Sequence, residues 1–578
     1  MSRRSRWFLV LLGFFALFVL VGGLLVLSVA GGPTIPHRSV LWVSLGGEIP
    51  ETDQRSPIER LLLRRVPTVL EHLQVFEAAA ADRRIVAAVI EMKGFGGGWA
   101  KADEIREALV AFRKSGKPLV AFMESGETKD YLVATAGERI VMPPSGVLLV
   151  NGLLADVPFY KGTLDKLGVE ADLEHIGAYK SASEVYTRDS MSDAGREAMS
   201  LVLDGLYGRL VSVVAGARSL PRDRVTQAFD EGFLTAGRGK ELRLVDDLLY
   251  RDQLEDELAE KTGGELRTVT ESTYLATLGR KTGAPRLAVV HIDGVIASGR
   301  SATDALGGAS TGSETVARAL RSAREDDGIR ALILRVDSPG GSGLASDVIW
   351  REVELTRKAK PVVVSMSDLA ASGGYYVAMG ADAIVAGENT LTGSIGVISG
   401  KFSLRGLYDW IGLKRDQIKR GENADIFTDY RPFTEGQRAL LMRQMESFYA
   451  DFVHKAASGR KKSVAEIDAV GQGRVWTGGQ ARERGLVDEI GGFARALEIA
   501  KTKAGIPAGR SVTLVEMPGP RGLFESLMSE DRDETLGRGV LRALLPAPLR
   551  KAASELGVLD RVAGDSYLYL DPRLLGSR

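Results

Sequence analysis

The run Ile329-Arg-Ala-Leu-Ile-Leu-Arg-Val336, followed by Ser338-Pro-Gly-Gly-Ser342, a helical segment through Arg351 to Lys360, and Pro361-Val-Val-Val-Ser365, decides the fold. A short apolar run, a glycine-rich turn, a helix and a second apolar run make a βαβ signature, which implies a parallel sheet and a right-handed crossover. The same order occurs earlier: Ile85 to Met92 is apolar, Gly94 to Gly98 is the turn, Ala100 to Lys114 is helical, and Pro118 to Met123 is apolar again. The spacing is 329 − 85 = 244 for the first run and 361 − 118 = 243 for the second, and Tyr131-Leu-Val-Ala meets Tyr375-Tyr-Val-Ala at 244. Further on, Thr235-Ala and Leu244-Val-Asp meet Thr477-Gly and Leu486-Val-Asp at 242. A register this long is an internal duplication rather than a solenoid period.

The chain of 578 residues is long enough for two such domains. Lys plus Arg and Asp plus Glu are equal at 75 each, so no net charge draws it to nucleic acid. Cysteine is absent, which excludes disulfides, thiolate catalysis and Cys-ligated metals. Trp7 to Ala30 holds 24 residues without a charge and follows Arg3, Arg4 and Arg6. This length reads as a membrane anchor with its basic end in the cytoplasm. The competing reading is a cleavable signal peptide, since Ser28-Val-Ala30 has the small-x-small form. The expected organisation is an anchor over 1–30, a first repeat over 31–265, a linker over 266–285, a second repeat over 286–508 and an extension over 509–578.

Ser372 sits in Ala370-Ala-Ser-Gly-Gly-Tyr-Tyr376, where two glycines precede an apolar run. Such a turn lifts a hydroxyl clear before a buried helix, as a nucleophile requires; a serine helix cap gives the same local pattern. The first copy has Thr128-Lys-Asp130 opposite Ser372-Gly-Gly374, and Gly94-Phe-Gly-Gly97 opposite Ser338-Pro-Gly-Gly341. Only the second copy therefore pairs a presented serine with a glycine loop whose N–H groups can face an oxyanion. A serine needs a base. Of the five histidines, His37, His72, His291 and His454 lie beside apolar runs or helix faces with no adjoining motif, while His175 lies near Gly177-Ala-Tyr-Lys180-Ser-Ala-Ser-Glu184. A lysine serves as base when desolvation lowers its pKa, and Lys180 has Ala178, Tyr179, Ser181 and Ala182 around it, whereas the second copy has Ala424 at the aligned place. The bland reading of one lysine is a surface residue.

Together, the anchor, Tyr179-Lys-Ser181 in the first repeat, and Asp337-Ser-Pro-Gly-Gly341, Ala370-Ala-Ser-Gly-Gly-Tyr-Tyr376 and Leu391-Thr-Gly-Ser-Ile-Gly396 in the second resemble the long form of the bacterial signal peptide peptidase A (protease IV) family, over roughly residues 1 to 508. The resemblance implies an α/β fold of two tandem Clp-protease/crotonase-like repeats, built of ββα units with stacked sheets and flanking helices, after an N-terminal transmembrane helix. It implies Ser372 as nucleophile, Lys180 as general base and Ser394 as the residue that orients the lysine. Gly373, with Gly340 or Gly341, would bind the oxyanion. No metal or cofactor is implied. The implied substrates are cleaved signal peptides and other hydrophobic peptides, and the implied assembly is a homotetramer. Its place would be the cytoplasmic (inner) membrane, crossed once by residues 7–30, with the catalytic domains on the outer, periplasmic side. The rival functions are a crotonase-like acyl-CoA enzyme and an inactive membrane scaffold, and both lack a reason to keep Ser372 and Lys180 together.

Overall fold

The computed structural model describes residues 33–53, 65–279, 283–303 and 309–519. The expected anchor, residues 7–30, lies outside them, as does the extension from residue 520.

Each half is built on a parallel sheet. In the first half the strands are β1 (Ser39–Gly47), β2 (Ile85–Phe95), β3 (Leu119–Met123), β4 (Arg139–Met142), β5 (Asp247–Leu248) and β6 (Thr268–Thr270). They lie in the order β6-β1-β2-β3-β4-β5. The second half supplies β7 (Arg286–Asp293), β8 (Ile329–Ser338), β9 (Val362–Ala371), β10 (Ala383–Ala386), β11 (Glu489–Ile490) and β12 (Thr513–Met517). Its neighbours run β12-β7-β8-β9-β10-β11, the same order. The central strands are continuous apolar runs because helices cover both faces, and β8 is buried at every position but Arg330. The motif that matched in sequence also makes the same contact. The Tyr131 hydroxyl donates to the Leu244 carbonyl at 2.8 Å and the Tyr375 hydroxyl to Leu486 at 3.0 Å.

Two expected boundaries need correction. Residues 266–285 are not simply a linker: β6 pairs in parallel with β1, and the helix Glu271–Thr277 buries Tyr274 in the first core. The second repeat does not end at 508, since β12 pairs with β7 as β6 does with β1. Both edge strands are short, with polar residues among the apolar ones, which is why they read as connecting chain.

The halves interlock. The strand Glu170–Ile176 of the first pairs antiparallel with Val397–Ser403 of the second, with Ile176 opposite Val397. The helix Asp193–Arg218 is, among the described residues, the one long and apolar enough to cross a bilayer. Here it packs Leu206, Leu210 and Val214 inward, and Gln480 Nε2 of the second half donates to its Leu201 carbonyl at 3.0 Å.

A buried ionic cluster joins the halves beneath the sheet ends. Arg335 on β8 donates to Glu51 Oε2 at 2.9 Å and to Glu104 Oε2 at 2.6 Å, and Lys101 Nζ lies 2.7 Å from Asp337 Oδ2. Burial alone would raise the Glu51 carboxyl, but Arg335 and Lys101 beside it hold it well below the usual carboxylate range. Such a cluster adds little net stability when complete and costs much when one partner is removed. Arg335→Met leaves Glu51 and Glu104 buried without their main partner and should lower unfolding stability by about 3 to 5 kcal/mol in urea titration. A loss under about 1 kcal/mol would mean that the halves do not depend on this cluster.

Candidate active site

Ser372 follows β9 directly and precedes the wholly buried helix Gly373–Ala378. Its backbone has φ 52° and ψ −116°, a conformation that costs a non-glycine residue about 1 to 3 kcal/mol. Neighbouring bonds impose it: Ser372 N donates to the Gly393 carbonyl at 2.9 Å, and Tyr376 N donates to the Ser372 carbonyl at 2.9 Å. The two following glycines let this turn close. A Cβ at Gly373 would lie 2.5 Å from Ser346 Oγ, and one at Gly374 would lie 2.6 Å from the Ser338 carbonyl oxygen. Although Ser372 stands at the cap position, its hydroxyl caps nothing. That side chain instead meets an amine from the other half.

The amine is Lys180 Nζ, which lies 3.1 Å from Ser372 Oγ, 2.8 Å from Ser394 Oγ and 2.9 Å from the Ser394 carbonyl oxygen. All three contacts are neutral oxygens. Lys180 is 3% exposed, and burial pushes its amine down to about 7. The dryness does not come from the alanines beside it in sequence. Gly473 packs its backbone on the lysine stem so closely that a Cβ would lie 2.5 Å from Lys180 Cβ. On another side a Cβ at Gly396 would lie 3.1 Å from Lys180 Cδ. The segment 471–474 is fixed by Gly473 N donating to Ile395 O at 2.6 Å and by Tyr179 N donating to Gln472 O at 2.8 Å. Sequence reasoning missed Gly396 and Gly473; the glycine of Gly471-Gln-Gly473 was the available signal. No histidine takes this place: His72 pairs with Glu271, and His175 contacts the Gly177 carbonyl.

In the glycine loop after β8 one of the two candidate amides is already bonded. Gly340 N donates to Ser338 Oγ at 3.1 Å. Gly340 itself, at φ 105°, admits the close approach of Gly373, whose N would lie 2.5 Å from a Cβ there. Gly341 N and Gly373 N take no acceptor among the described residues, and the two backbones lie side by side at the serine turn, where a Cβ at Gly373 would be 3.2 Å from Gly341 N. Beside them the cleft is bordered by apolar side chains, Tyr376, Val397, Ile398, Phe448 and Phe452.

The first half uses its counterpart loop differently. Gly98 and Lys101 stand 244 residues before Ser342 and Ala345. In the second half Ser342 Oγ accepts from Ala345 N and caps its own helix. In the first half Gly98 offers no side chain, and the N–H groups of Gly98 and Lys101 donate to the two oxygens of Asp368, each at 2.9 Å. Asp368 lies on β9, four residues before Ser372. A Cβ at Gly98 would overlap its carboxylate. The helix N-terminus of one half thus holds the serine strand of the other.

The model of peptidase family S49 matches residues 111–264 and again 354–507, two copies in the same register as the duplicated sheets. The chloroplastic serine protease SPPA of Arabidopsis thaliana is 37% identical over 471 residues, covering 80% of this chain and 69% of that one. Protease 4 of Salmonella typhi is 32% identical over 580 residues, covering 94% and 91%, and Protease 4 of Haemophilus influenzae is 31% identical, covering 86% and 83%. A serine turned out of its cap, a buried amine and a matching family model in each half lead to one conclusion: the chain belongs to peptidase family S49 and is a serine peptidase.

Proposed function

We propose that the chain is a membrane-anchored endopeptidase that degrades signal peptides after their release, with Ser372 as nucleophile and Lys180 as general base. The observation that carries this reading is the Lys180 amine, buried, without a counter-charge among the described residues, and 3.1 Å from Ser372 Oγ. A neutral amine has two N–H donors and one lone pair. With the donors spent on the carbonyl and hydroxyl of Ser394, the lone pair is left for the Ser372 proton. The alkoxide then attacks the peptide carbonyl, and the tetrahedral oxyanion is held by Gly341 N–H and Gly373 N–H. Lys180 returns its proton to the departing amine, and a water, deprotonated by the same lysine, hydrolyses the acyl-enzyme.

The apolar border of the cleft suits the hydrophobic core of a signal peptide, and Tyr376, Val397, Ile398 and Phe448 would contact the residue before the cut. The uncharged run 7–30 after three arginines supports a single-pass anchor in the cytoplasmic membrane, with both halves on the outer side. A Clp-protease/crotonase-like core in each half and a homotetramer complete the proposal, on the family resemblance.

Digestion of a synthetic signal peptide, followed by chromatography, tests this mechanism. Ser372→Ala should lower kcat/KM by at least ~1000-fold. In the wild type kcat/KM should rise about tenfold per pH unit below about 7 and level off above it, as Lys180 becomes neutral. An unchanged rate in Ser372→Ala, or a rate flat from acid to neutral pH, contradicts the mechanism. Stability supplies an independent check. With a folded pKa of about 7 against the ordinary 10.5, the unfolded chain holds the Lys180 proton in that interval and the folded chain does not. Unfolding free energy should therefore rise with pH from about 7 to 10.5, and the full cost of the buried ammonium is present below about 7. Lys180→Met should abolish activity yet stabilise the protein at pH 6 by on the order of a few kcal/mol, with the gain vanishing near pH 10.5. A destabilised Lys180→Met at pH 6 would contradict this.

A further inference from the structure

Resting on the reading of Lys180 as base, we propose that Arg474 is a positioning residue: its guanidinium locks the loop that carries Lys180 against the second half and keeps water from the amine. Arg474 acts at two points. Its carbonyl accepts from Ser394 N at 2.8 Å, which fixes the residue that holds the lysine amine through both its carbonyl and its hydroxyl. Its guanidinium carbon lies 4.2 Å from the ring centre of Tyr179, the residue before Lys180, and 4.8 Å from that of Trp476. Tyr179 belongs to the first half, and Arg474 and Trp476 to the second, so the stack crosses the junction.

The guanidinium is held by both ring packing and an ion pair. Arg474 is 16% exposed at the side chain, its Nε is buried without a partner among the described residues, and its charged end pairs with Glu197 on the helix Asp193–Arg218. Trp476 is held from behind by its Nε1 donating to Val470 O at 2.9 Å and by Arg484, 3.8 Å over its ring. Between Arg474 and Lys180 lies Gly473, whose backbone touches the lysine stem. A cation stacked on aromatic faces is a modest attraction, enough to close a short loop and too little to hold a domain.

The titratable groups on the elements around Lys180 include Asp172, Glu174, His175, Tyr179, Glu184, Glu197, Tyr376, Tyr449, Asp468 and Arg474. Glu184 is engaged by Ser192, Glu197 by Arg474 and by the Tyr179 hydroxyl, and His175 by the Gly177 carbonyl. None of them bonds the lysine amine, whose partners are Ser372 and Ser394. Opening the stack exposes Lys180 to water, most cleanly in Tyr179→Leu, which leaves the Arg474–Glu197 pair in place, and an exposed amine holds its proton more tightly.

The test is the pH dependence of kcat/KM on a synthetic signal peptide for full-length wild type, Arg474→Ala and Arg474→Lys, with thermal melting alongside. Arg474→Ala should move the midpoint upward by at least about one unit, so that activity falls about tenfold at pH 6 and returns to within about threefold of wild type at pH 9.5. Arg474→Lys keeps the charge but not the planar stack, and should shift the midpoint likewise. Should Arg474→Ala fail to fold, Tyr179→Leu removes the ring partner and is expected to give the same shift. Folded variants with the wild-type midpoint, including variants slowed equally at all pH values, overturn the proposal. A wild type with no midpoint near neutrality instead overturns the base assignment, which separates the two failures.

Discussion

The proposed chemistry depends on keeping one lysine amine out of water without giving it a counter-charge. An ammonium with a carboxylate partner would be stable but protonated, and an exposed one would be protonated at neutral pH as well. Lys180 is surrounded by hydroxyl and carbonyl oxygens and by glycine backbone, which leave it 3% exposed. That environment comes from both halves. The first supplies the lysine and its turn at Gly177, and the second supplies Ser372, Ser394, Gly396 and Gly473. Neither half contains the pair by itself, so the junction between them is part of the proposed chemistry.

The junction is built from the duplication itself. The strand Glu170–Ile176 of the first half pairs antiparallel with Val397–Ser403 of the second and brings Lys180 to Ser394. The two glycine loops have diverged in a way the pairing explains. The second keeps the Gly341 N–H unbonded beside Ser372, whereas the first spends its helix N-terminus on Asp368. A helix N-terminus attracts an anion in either case. In the second half the proposed anion is the transient oxyanion of the substrate; in the first it is a fixed carboxylate that anchors the strand leading to the serine. Lys101 and Asp337 continue that anchor to the base of the glycine loop, since Asp337 also accepts from Leu369 N at 3.1 Å.

The large sheets were legible in the sequence because buried parallel strands are unbroken apolar runs, and two sets of them in one register are hard to misread. Ser372 was legible as a choice between a cap and a nucleophile, and its φ of 52°, with a hydroxyl that caps no helix N–H and meets Lys180 instead, decides against the cap. The edge strands Thr268–Thr270 and Thr513–Met517 were hidden, because short strands carrying threonine look like connecting chain. The surroundings of Lys180 were hidden for a different reason. Its desolvation arises from Gly396 and Gly473, more than 200 residues away in the chain, and glycine leaves no hydrophobic pattern to read. Which of Gly340 and Gly341 keeps a free N–H depended on the rotation of one hydroxyl, at Ser338, and spacing carries no information about that.

The most direct measurement is the titration of the Lys180 amine itself, by the carbon and nitrogen chemical shifts of its side chain in labelled full-length protein, assigned with Lys180→Met. A pKa of about 7 in the resting protein, against 10.5 for an ordinary lysine, is expected from a dry amine without a counter-charge. A Lys180 amine that stays protonated to about pH 10 would contradict the view that the two halves exist to hold a neutral base beside Ser372.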